Sequence, residues 1–208
     1  MGGIRSGRMS RRREALLQAA AEVFFEQGYA AASIDAIIER AGGSKRNIYS
    51  EFGNKQGLFA AIVTGNADEA LSSLPIDNIE ERDLPETLTV FGHRLLGIYM
   101  SPTVIGIYRL AVTEANRFPD LAKAFYEQGP GRTTIRLAQI LEEAQMRDEI
   151  RMGDCRQLAD RFIGMIRDNL HLQVVLGLRP PPSEKEMRNA VESAVDLFLN
   201  GVRTSRQK

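Results

Sequence analysis

Residues 33–59 read SIDAIIERAGGSKRNIYSEFGNKQGLF, and this stretch decides the fold. Ser33 is a suitable N-cap for a short helix whose isoleucines recur at helical spacing, and a glycine pair ends that helix. Ser44 caps a second short helix in which Ile48 is the single strongly apolar residue. Two short helices joined by a glycine turn are the layout of a helix-turn-helix, whose second helix enters a DNA major groove.

The second helix offers hydrogen-bond donors and flat amphipathic side chains instead of core formers. Arg46 is the first candidate for a base contact, because its guanidinium can bind guanine O6 and N7 together. Asn47 can pair with adenine, or it can bond locally near the helix start. The polar residues of this helix are Lys45, Arg46, Asn47, Tyr49 and Ser50.

The N-terminal region supplies a helix that packs beneath this motif. Residues 1–10 are small and basic, and we predict a disordered basic leader. A helix over residues 11–27 follows, capped by Ser10 and closed by Gly28. Its first turn holds arginines at 11, 12 and 13, where the helix dipole disfavours cations. A DNA phosphate would explain this placement, and a solvated charge run explains it equally well.

Helical patterns continue to the end of the chain, and no strand pattern or repeat is evident. A linker is predicted over residues 72–85, and Asn54 caps the helix before it, over 54–71. Ser183 and Glu186 have capping-box spacing before the last helix. The predicted helices between linker and capping box cover 86–100, 103–116, 119–128, 133–147 and 154–178. The fold class is all-α, with a DNA-binding domain over 11–53 and a helical body over 72–208.

Two long apolar faces near the C-terminus suggest a four-helix interface with a second copy of the chain. The alternative is that these faces close the core of a single copy. The residues predicted for the dimer interface are Ile166, Leu170, Val174, Val191, Val195 and Phe198.

Composition narrows the class of protein further. The 208 residues have a formal net charge of zero, with a balance of +3 over residues 1–60 and −3 over the rest. That asymmetry fits a basic DNA-facing end on a neutral or acidic body. The single cysteine, Cys155, excludes an intrachain disulfide and a cysteine-based zinc cluster, and suits a reducing compartment. No run reaches the length of a membrane span, so we expect a cytoplasmic protein with no membrane partner. We also expect no metal and no cofactor.

The sequence resembles TetR-family (TetR/AcrR-like) transcriptional regulators. FFEQGY at 24–29, ASIDAIIERAG at 32–42, SKRNIYSEF at 44–52 and GNKQGLF at 53–59 occur in the order and spacing of that family's DNA-binding domain. The later stretches RFPDLAKAFYEQGP, FIGMIRDNLHLQVVLGLRPPP and AVDLFLNGV resemble the regulatory domains of one branch. Gly43 is a departure, since the family commonly has an apolar residue there. Glycine removes a side chain from the turn's packing and would loosen the motif by about 1 kcal/mol.

The resemblance implies about nine helices, three of them in the DNA-binding domain and the others in a ligand-binding and dimerisation body. Family members typically repress their targets as homodimers on palindromic double-stranded DNA operators, and release them when a small effector enters the body. The resemblance also implies phosphate contacts from Ser33, Ser44, Lys45, Tyr49 and Lys55.

A mostly apolar effector would need a pocket with a few polar anchors. Each candidate taken alone is better explained as ordinary core, and only as a group on the helices that form the pocket in that family do they suggest a ligand site. The candidate lining residues are Phe91, Leu95, Tyr99, Tyr108, Phe125, Phe162, Met165 and His171.

Other functional classes have less support in the sequence. An enzyme is disfavoured because His93 and His171 lie far apart and no HExxH, GxSxG or two-cysteine motif is present. An architectural DNA-binding protein without an effector remains, and it would bind DNA with little sequence preference.

Overall fold

The computed structural model describes residues 3–72 and 83–202, and within them the chain forms ten α-helices and no strand. The prediction of an all-α fold is confirmed. The helices are α1 Gly3–Ala31, α2 Ile34–Ala41, α3 Lys45–Phe52, α4 Lys55–Leu71, α5 Leu84–Tyr99, α6 Pro102–Glu114, α7 Pro119–Gln128, α8 Pro130–Met146, α9 Cys155–Val175 and α10 Glu184–Val202.

These helices are divided between two compact units. The first contains the described residues up to Gly65 together with Gly106–Gln128, and the second contains Asn66–Ile105 and the described residues from Gly129 onward. The division differs from the predicted domains, because α7 and most of α6 belong with the helix-turn-helix. Two helices, α4 and α6, contribute residues to both units.

Aromatic side chains hold the first unit together. The ring of Tyr29 lies 5.6 Å from that of Phe24 and 6.1 Å from that of Phe59. Phe118, which precedes α7, meets Tyr29 edge-on at 5.1 Å. Edge-on aromatic pairs add to the free energy gained by burying the rings, which explains why residues from the middle of the chain join this unit.

Helix α6 approaches the first helix closely at a glycine. A Cβ atom on Gly106 would lie 2.6–2.8 Å from the ring carbons of Phe25. A side chain at this position would push the outer edge of that ring aside, so glycine lets α6 pack this closely on α1 with Phe25 in its present position.

The second unit has its own core, built from α5, α8, α9 and α10. The rings of Phe91 and Phe162 stack at 6.4 Å, and Phe198 of α10 meets Phe162 edge-on at 5.1 Å. All three rings are buried, together with Leu88, Leu137 and other aliphatic residues of these helices. The predicted helical body is therefore a packed apolar core in its own right.

Most predicted helix caps are confirmed. The hydroxyl oxygens of Ser33 and Ser44 accept hydrogen bonds from Ala36 N at 3.1 Å and Asn47 N at 3.3 Å, at the starts of α2 and α3. The side chain of Asn54 accepts from the backbone N–H of Gly57 at 2.8 Å. The capping box before α10 is reciprocal: Ser183 N donates to Glu186 Oε2 at 2.8 Å, and Glu186 N donates to Ser183 Oγ at 3.3 Å.

Two helices differ from their predicted form. Helix α1 begins at Gly3, so the stretch expected to be a disordered leader is helical from that residue. No proline interrupts residues 3–10, and helix propagation from a formed segment costs little. Helix α9 ends at Val175, and it contains a break at Asp168, whose φ is 40° and ψ is −167°. The prediction of one continuous helix over 154–178 missed this break.

The predicted linker lies mostly outside the described residues, which resume at Asp83. Within the described ranges, no single helix has the length and apolar character to cross a membrane. The pair α5 and α6 would meet both criteria together, but it bends by 68°.

Candidate nucleic-acid interface

Helix α3 presents a polar face because a single buried residue anchors it. Ile48 is 2% exposed and packs into the core of the first unit, together with Ile37 of α2. The other residues of the helix from Lys45 to Ser50 are exposed. Arg46, Asn47, Tyr49 and Ser50 are each exposed on α3, as a DNA-contacting role would require, and their contact with a groove stays a prediction.

Helix α2 holds α3 in place and is itself tied to α1. Arg40 donates two hydrogen bonds to Glu26, from Nη1 to Oε1 at 2.9 Å and from Nη2 to Oε2 at 2.6 Å. The Arg40 hydrogen bond lowers the pKa of the Glu26 carboxyl. A bidentate guanidinium–carboxylate pair fixes orientation as well as distance, so α2 is held in one orientation against α1.

The two capping serines keep the capacity to contact phosphate. Each uses its oxygen as an acceptor at a helix start, as Ser33 does for α2 and Ser44 for α3. A hydroxyl group that accepts still has its O–H to donate, and both side chains lie on exposed residues. The geometry is compatible with the phosphate contacts that the resemblance implies.

Lys45 is paired within the motif. Its Nζ lies 2.9 Å from Asp35 Oδ2, and both side chains are more than half exposed. The hydrogen bond to Asp35 raises the pKa of Lys45, which keeps it charged. An exposed ion pair of this kind contributes at most about 1 kcal/mol, so a phosphate can replace the carboxylate at small cost.

Arg12 and Arg13 of α1 lie beside α3, a feature that the sequence pattern did not reveal. Arg13 Nε donates to Glu51 Oε1 at 2.8 Å, and its guanidinium lies 5.5 Å from the ring centre of Phe52. Arg12 and Arg13 both line an open groove that runs along the glycine turn and Ser44. The side chain of the third arginine, Arg11, lies outside the described part. Arg13 therefore braces α3 from the α1 side, and Arg12 adds positive charge beside it.

Lys55 is turned away from the exposed face of α3. Its Nζ donates to the carbonyl oxygens of Tyr29 at 2.6 Å, Ala32 at 2.9 Å and Ala30 at 3.3 Å. An ammonium has three N–H donors, and all three are engaged here. The phosphate contact expected for Lys55 is therefore at odds with this geometry, because the contact would require the amine to leave the carbonyls.

Gly43 adopts a backbone conformation that other residues avoid. Its φ is 114°, and a Cβ added there would find only Arg12 Nη2, at 3.7 Å. The turn thus has room for a side chain, but its backbone favours glycine. The sequence interpretation, in which glycine merely leaves the turn less packed, did not anticipate this requirement.

We expect Gly43→Ala to lower the free energy of unfolding by about 1–2 kcal/mol, since a side chain at positive φ is strained. Urea denaturation measures this change. Gly65→Ala is the matched control, because Gly65 lies exposed in α4 with nothing within 4 Å of an added Cβ. The control should be neutral or stabilising by up to about 1 kcal/mol. A Gly43→Ala variant as stable as the wild type would favour the loose-turn interpretation.

The predicted pocket residues fall into two groups. Tyr108 and Phe125 belong to the first unit, where their rings meet edge-on at 6.1 Å. The other six belong to the second unit and lie in or against its core: Phe91, Leu95, Tyr99, Phe162, Met165 and His171.

Two of the second group carry polar atoms. The rings of Tyr99 and His171 lie 5.6 Å apart. Burial raises the pKa of Tyr99 to about 12, and burial together with Arg167 lowers the pKa of His171 to about 4. Both side chains are therefore uncharged near neutral pH, which suits an apolar region with a few polar anchors.

The residues predicted for a dimer interface are covered within one copy of the chain. Ile166, Val174, Val191, Val195 and Phe198 are buried, and Leu170 packs partly buried against the same core. The surface that they would offer to a second copy is already occupied by the protomer's own helices. The alternative, that these faces close the core of one copy, describes them better.

Exposed leucines lie on the same two helices. Leu172 of α9 is 51% exposed and Leu197 of α10 is 62% exposed, while Leu176 and Leu178, just beyond α9, are 61% and 73% exposed. The sequence pattern did not single out these residues, because a helical stripe identifies an apolar face without showing what covers it.

Among the described residues, no group of three or more His, Cys, Asp or Glu side chains is placed to hold a metal ion. Cys155 is a free, buried thiol at the start of α9.

Comparison with protein-family models gives two matches along the chain. The model described as bacterial regulatory proteins of the tetR family matches residues 16–62. The model of the AefR-like transcriptional repressor C-terminal domain matches residues 86–201. The two matches cover the helix-turn-helix and most of the rest of the chain.

Individual proteins are similar over long or short stretches. The solved structure of the flavonoid-responsive regulator FrrA is 33% identical, with a TM-score of 0.74 over 95% of this chain and 100% of that chain. The regulator UidR of Escherichia coli K12 is 30% identical over 66% of this chain and 68% of its own length. The activator FasR of Mycolicibacterium smegmatis is 41% identical over 75 residues, which span 35% of this chain and 34% of FasR.

Proposed function

The chain belongs to the TetR family of bacterial transcriptional regulators, and from that premise we propose a ligand-responsive repressor that binds a palindromic operator as a homodimer. The general function, DNA-binding transcriptional regulation, follows from membership of the family. We propose a cytoplasmic location and no catalytic activity, in keeping with that class of protein.

The observation that carries the proposal is the polar surface of α3. One buried isoleucine, Ile48, fixes the helix while Arg46 and Asn47 stay exposed beside it. These are the side-chain types that read guanine and adenine in a major groove. The serine caps and Lys45 around them supply contacts that set register on the phosphate backbone without reading sequence.

A two-fold dimer would double this surface on the DNA. Its two recognition helices would bind half-sites about one helical turn apart, or a multiple of that distance. A near-palindromic operator follows from the symmetry of the protein.

We propose that the exposed leucines at the end of α9 and on α10 form the dimer surface. Leu172 and Leu176 are spaced four residues apart, so both can face a second copy, and Leu197 adds an apolar side chain on α10. In this proposal the exposed leucines take the place of the buried residues of α9 and α10 that the sequence pattern predicted for the dimer interface.

Leu176→Glu is expected to raise the dissociation constant of the dimer by about 100-fold or more. In a two-fold symmetric interface each protomer contributes one such glutamate, so two charges would be buried. Sedimentation velocity measures the change. Val112→Glu is the control, since Val112 is 60% exposed and lies in the first unit. If the Leu176→Glu variant is as dimeric as the wild type at the same protein concentrations, this surface is not the dimer interface.

We propose a largely apolar effector of small size. The related FrrA is described as flavonoid-responsive, and the second unit here combines buried aromatic rings with the uncharged polar side chains of Tyr99 and His171. Flavonoids are therefore reasonable first probes in a thermal-shift screen of apolar and aromatic molecules. A repressor role is supported by the AefR-like repressor model over residues 86–201, although the related FasR is an activator.

Footprinting on the DNA upstream of the chain's own gene, at physiological salt, tests the proposal. A short protected palindrome that is released by an effector is the expected result. A diffuse pattern that weakens steeply with salt would favour the architectural alternative instead. A promoter–reporter assay with and without the protein distinguishes repression from activation.

A further inference from the structure

Lys55 connects the two chain ends of the helix-turn-helix. The motif spans residues 33–54, and the carbonyls that Lys55 holds belong to Tyr29, Ala30 and Ala32, directly before it. Lys55 itself is the first residue of α4, directly after it. One side chain thus closes the base of the loop formed by α2 and α3.

The carbonyls in question need a partner. Tyr29 and Ala30 lie in the last turn of α1, whose final carbonyls have no partner within the helix. A cation at this end also complements the negative pole of the helix dipole. The chain kinks at Gly28, where φ is 74°, so Tyr29 and Ala30 belong to a short final turn of α1 that follows the kink.

The surroundings hold the ammonium where it is. Nζ lies 4.6 Å from the ring centre of Tyr29, a cation–π distance, and that ring packs against Phe24, Phe59 and Phe118. Burial lowers the pKa of Lys55, while the carboxylate of Glu114 acts in the opposite direction. The partly buried amine thus lies against the edge of the first unit's aromatic core, held by the Tyr29 ring and three carbonyl oxygens.

We propose that Lys55 is a positioning residue, which fixes the recognition helix by joining the two ends of the helix-turn-helix, and is not a phosphate contact. The inference rests on the proposed function, since its consequence is measured as operator binding. Pinning both ends removes conformational freedom from α2 and α3 before DNA arrives, and such preorganisation increases affinity.

Lys55→Met tests the proposal against a matched variant, Lys45→Met. Lys55→Met should lower the melting temperature by roughly 4 °C or more. It should weaken operator binding about tenfold or more at a temperature where the protein is folded, with an unchanged dependence on salt. Lys45→Met should leave the melting temperature unchanged and reduce the salt slope by about 2, one phosphate per subunit.

Two results of this comparison would overturn the proposal. One is a reduced salt slope for Lys55→Met with an unchanged melting temperature, which identifies a phosphate contact. The other is a lower melting temperature with unaltered operator affinity, which leaves Lys55 a stabilising residue without a role in positioning.

Reductive methylation of the wild-type protein covers the case in which Lys55→Met does not fold. The readout is the ratio of each lysine's modification rate with and without operator DNA. The ratio for Lys55 should stay near one, while DNA should protect Lys45. Protection of Lys55 equal to that of Lys45 would contradict the proposal.

If the protein is not a sequence-specific DNA-binding regulator, the wild type itself shows this. In that case the wild type binds no DNA site specifically and neither lysine is protected. The melting temperatures then test only whether Lys55 joins the two ends of the motif: a lower value for Lys55→Met than for Lys45→Met supports the joining, and equal values overturn the proposal.

Discussion

Arg46→Ala is expected to relax operator recognition at one base pair of each half-site, with little loss at the other positions. The guanidinium of Arg46 lies on the exposed face of α3, beside a helix start fixed by Ser44. A bidentate contact to guanine contributes about 1–3 kcal/mol of discrimination against the wrong base. Binding assays on a set of operators, each changed at one position, measure the effect.

The control for Arg46 is its neighbour. Lys45→Ala removes an exposed cation that pairs with Asp35, and it should weaken binding to every operator by a similar factor. If Arg46→Ala instead produced equal losses on all operator variants, Arg46 would be a phosphate contact and another residue would read the base.

Phe162→Ala should lower the free energy of unfolding by about 3–5 kcal/mol, the usual cost of removing a fully buried phenylalanine. Phe162 is 0% exposed and touches the rings of Phe91 and Phe198 in the core of the second unit. Urea denaturation gives the magnitude. Ile135→Ala is the control, because Ile135 of α8 is 49% exposed and should cost less than about 1 kcal/mol.

The same variant separates the two interpretations of Phe162. If Phe162 lined an open effector pocket, truncation would change effector affinity and leave stability nearly unaltered. A large loss of stability means that effector binding near this ring must first displace packed side chains.

The helix-turn-helix was predictable because its determinants are local. Caps at Ser33, Ser44 and Asn54 and the isolated Ile48 act within a few residues of themselves, and each has the predicted role in the structure. Local signals of this kind survive in the fold because they agree with the global structure.

The remaining differences depend on contacts between distant residues. A lysine in the first turn of a helix suits an external phosphate. The sequence does not show that the Tyr29 carbonyl oxygen lies within reach of the Lys55 amine, and in the structure that amine bonds to it. The stripe through Val191 and Phe198 predicts an apolar face, but the sequence does not say that the protomer's own core covers it. The close approach of Gly106 to Phe25 likewise joins residues 81 positions apart.

The composition of the first unit bears on how the protein forms during synthesis. Part of that unit, Gly106–Gln128, follows α5 along the chain, and Phe118 packs against Tyr29. A ribosome adding about 5–20 residues per second delivers Phe118 several seconds after Phe59. Throughout that interval the nascent helix-turn-helix lacks part of its aromatic core. The DNA-reading part of this protein, although encoded first, is thus completed only after a further stretch of the chain, up to Gln128, has been made.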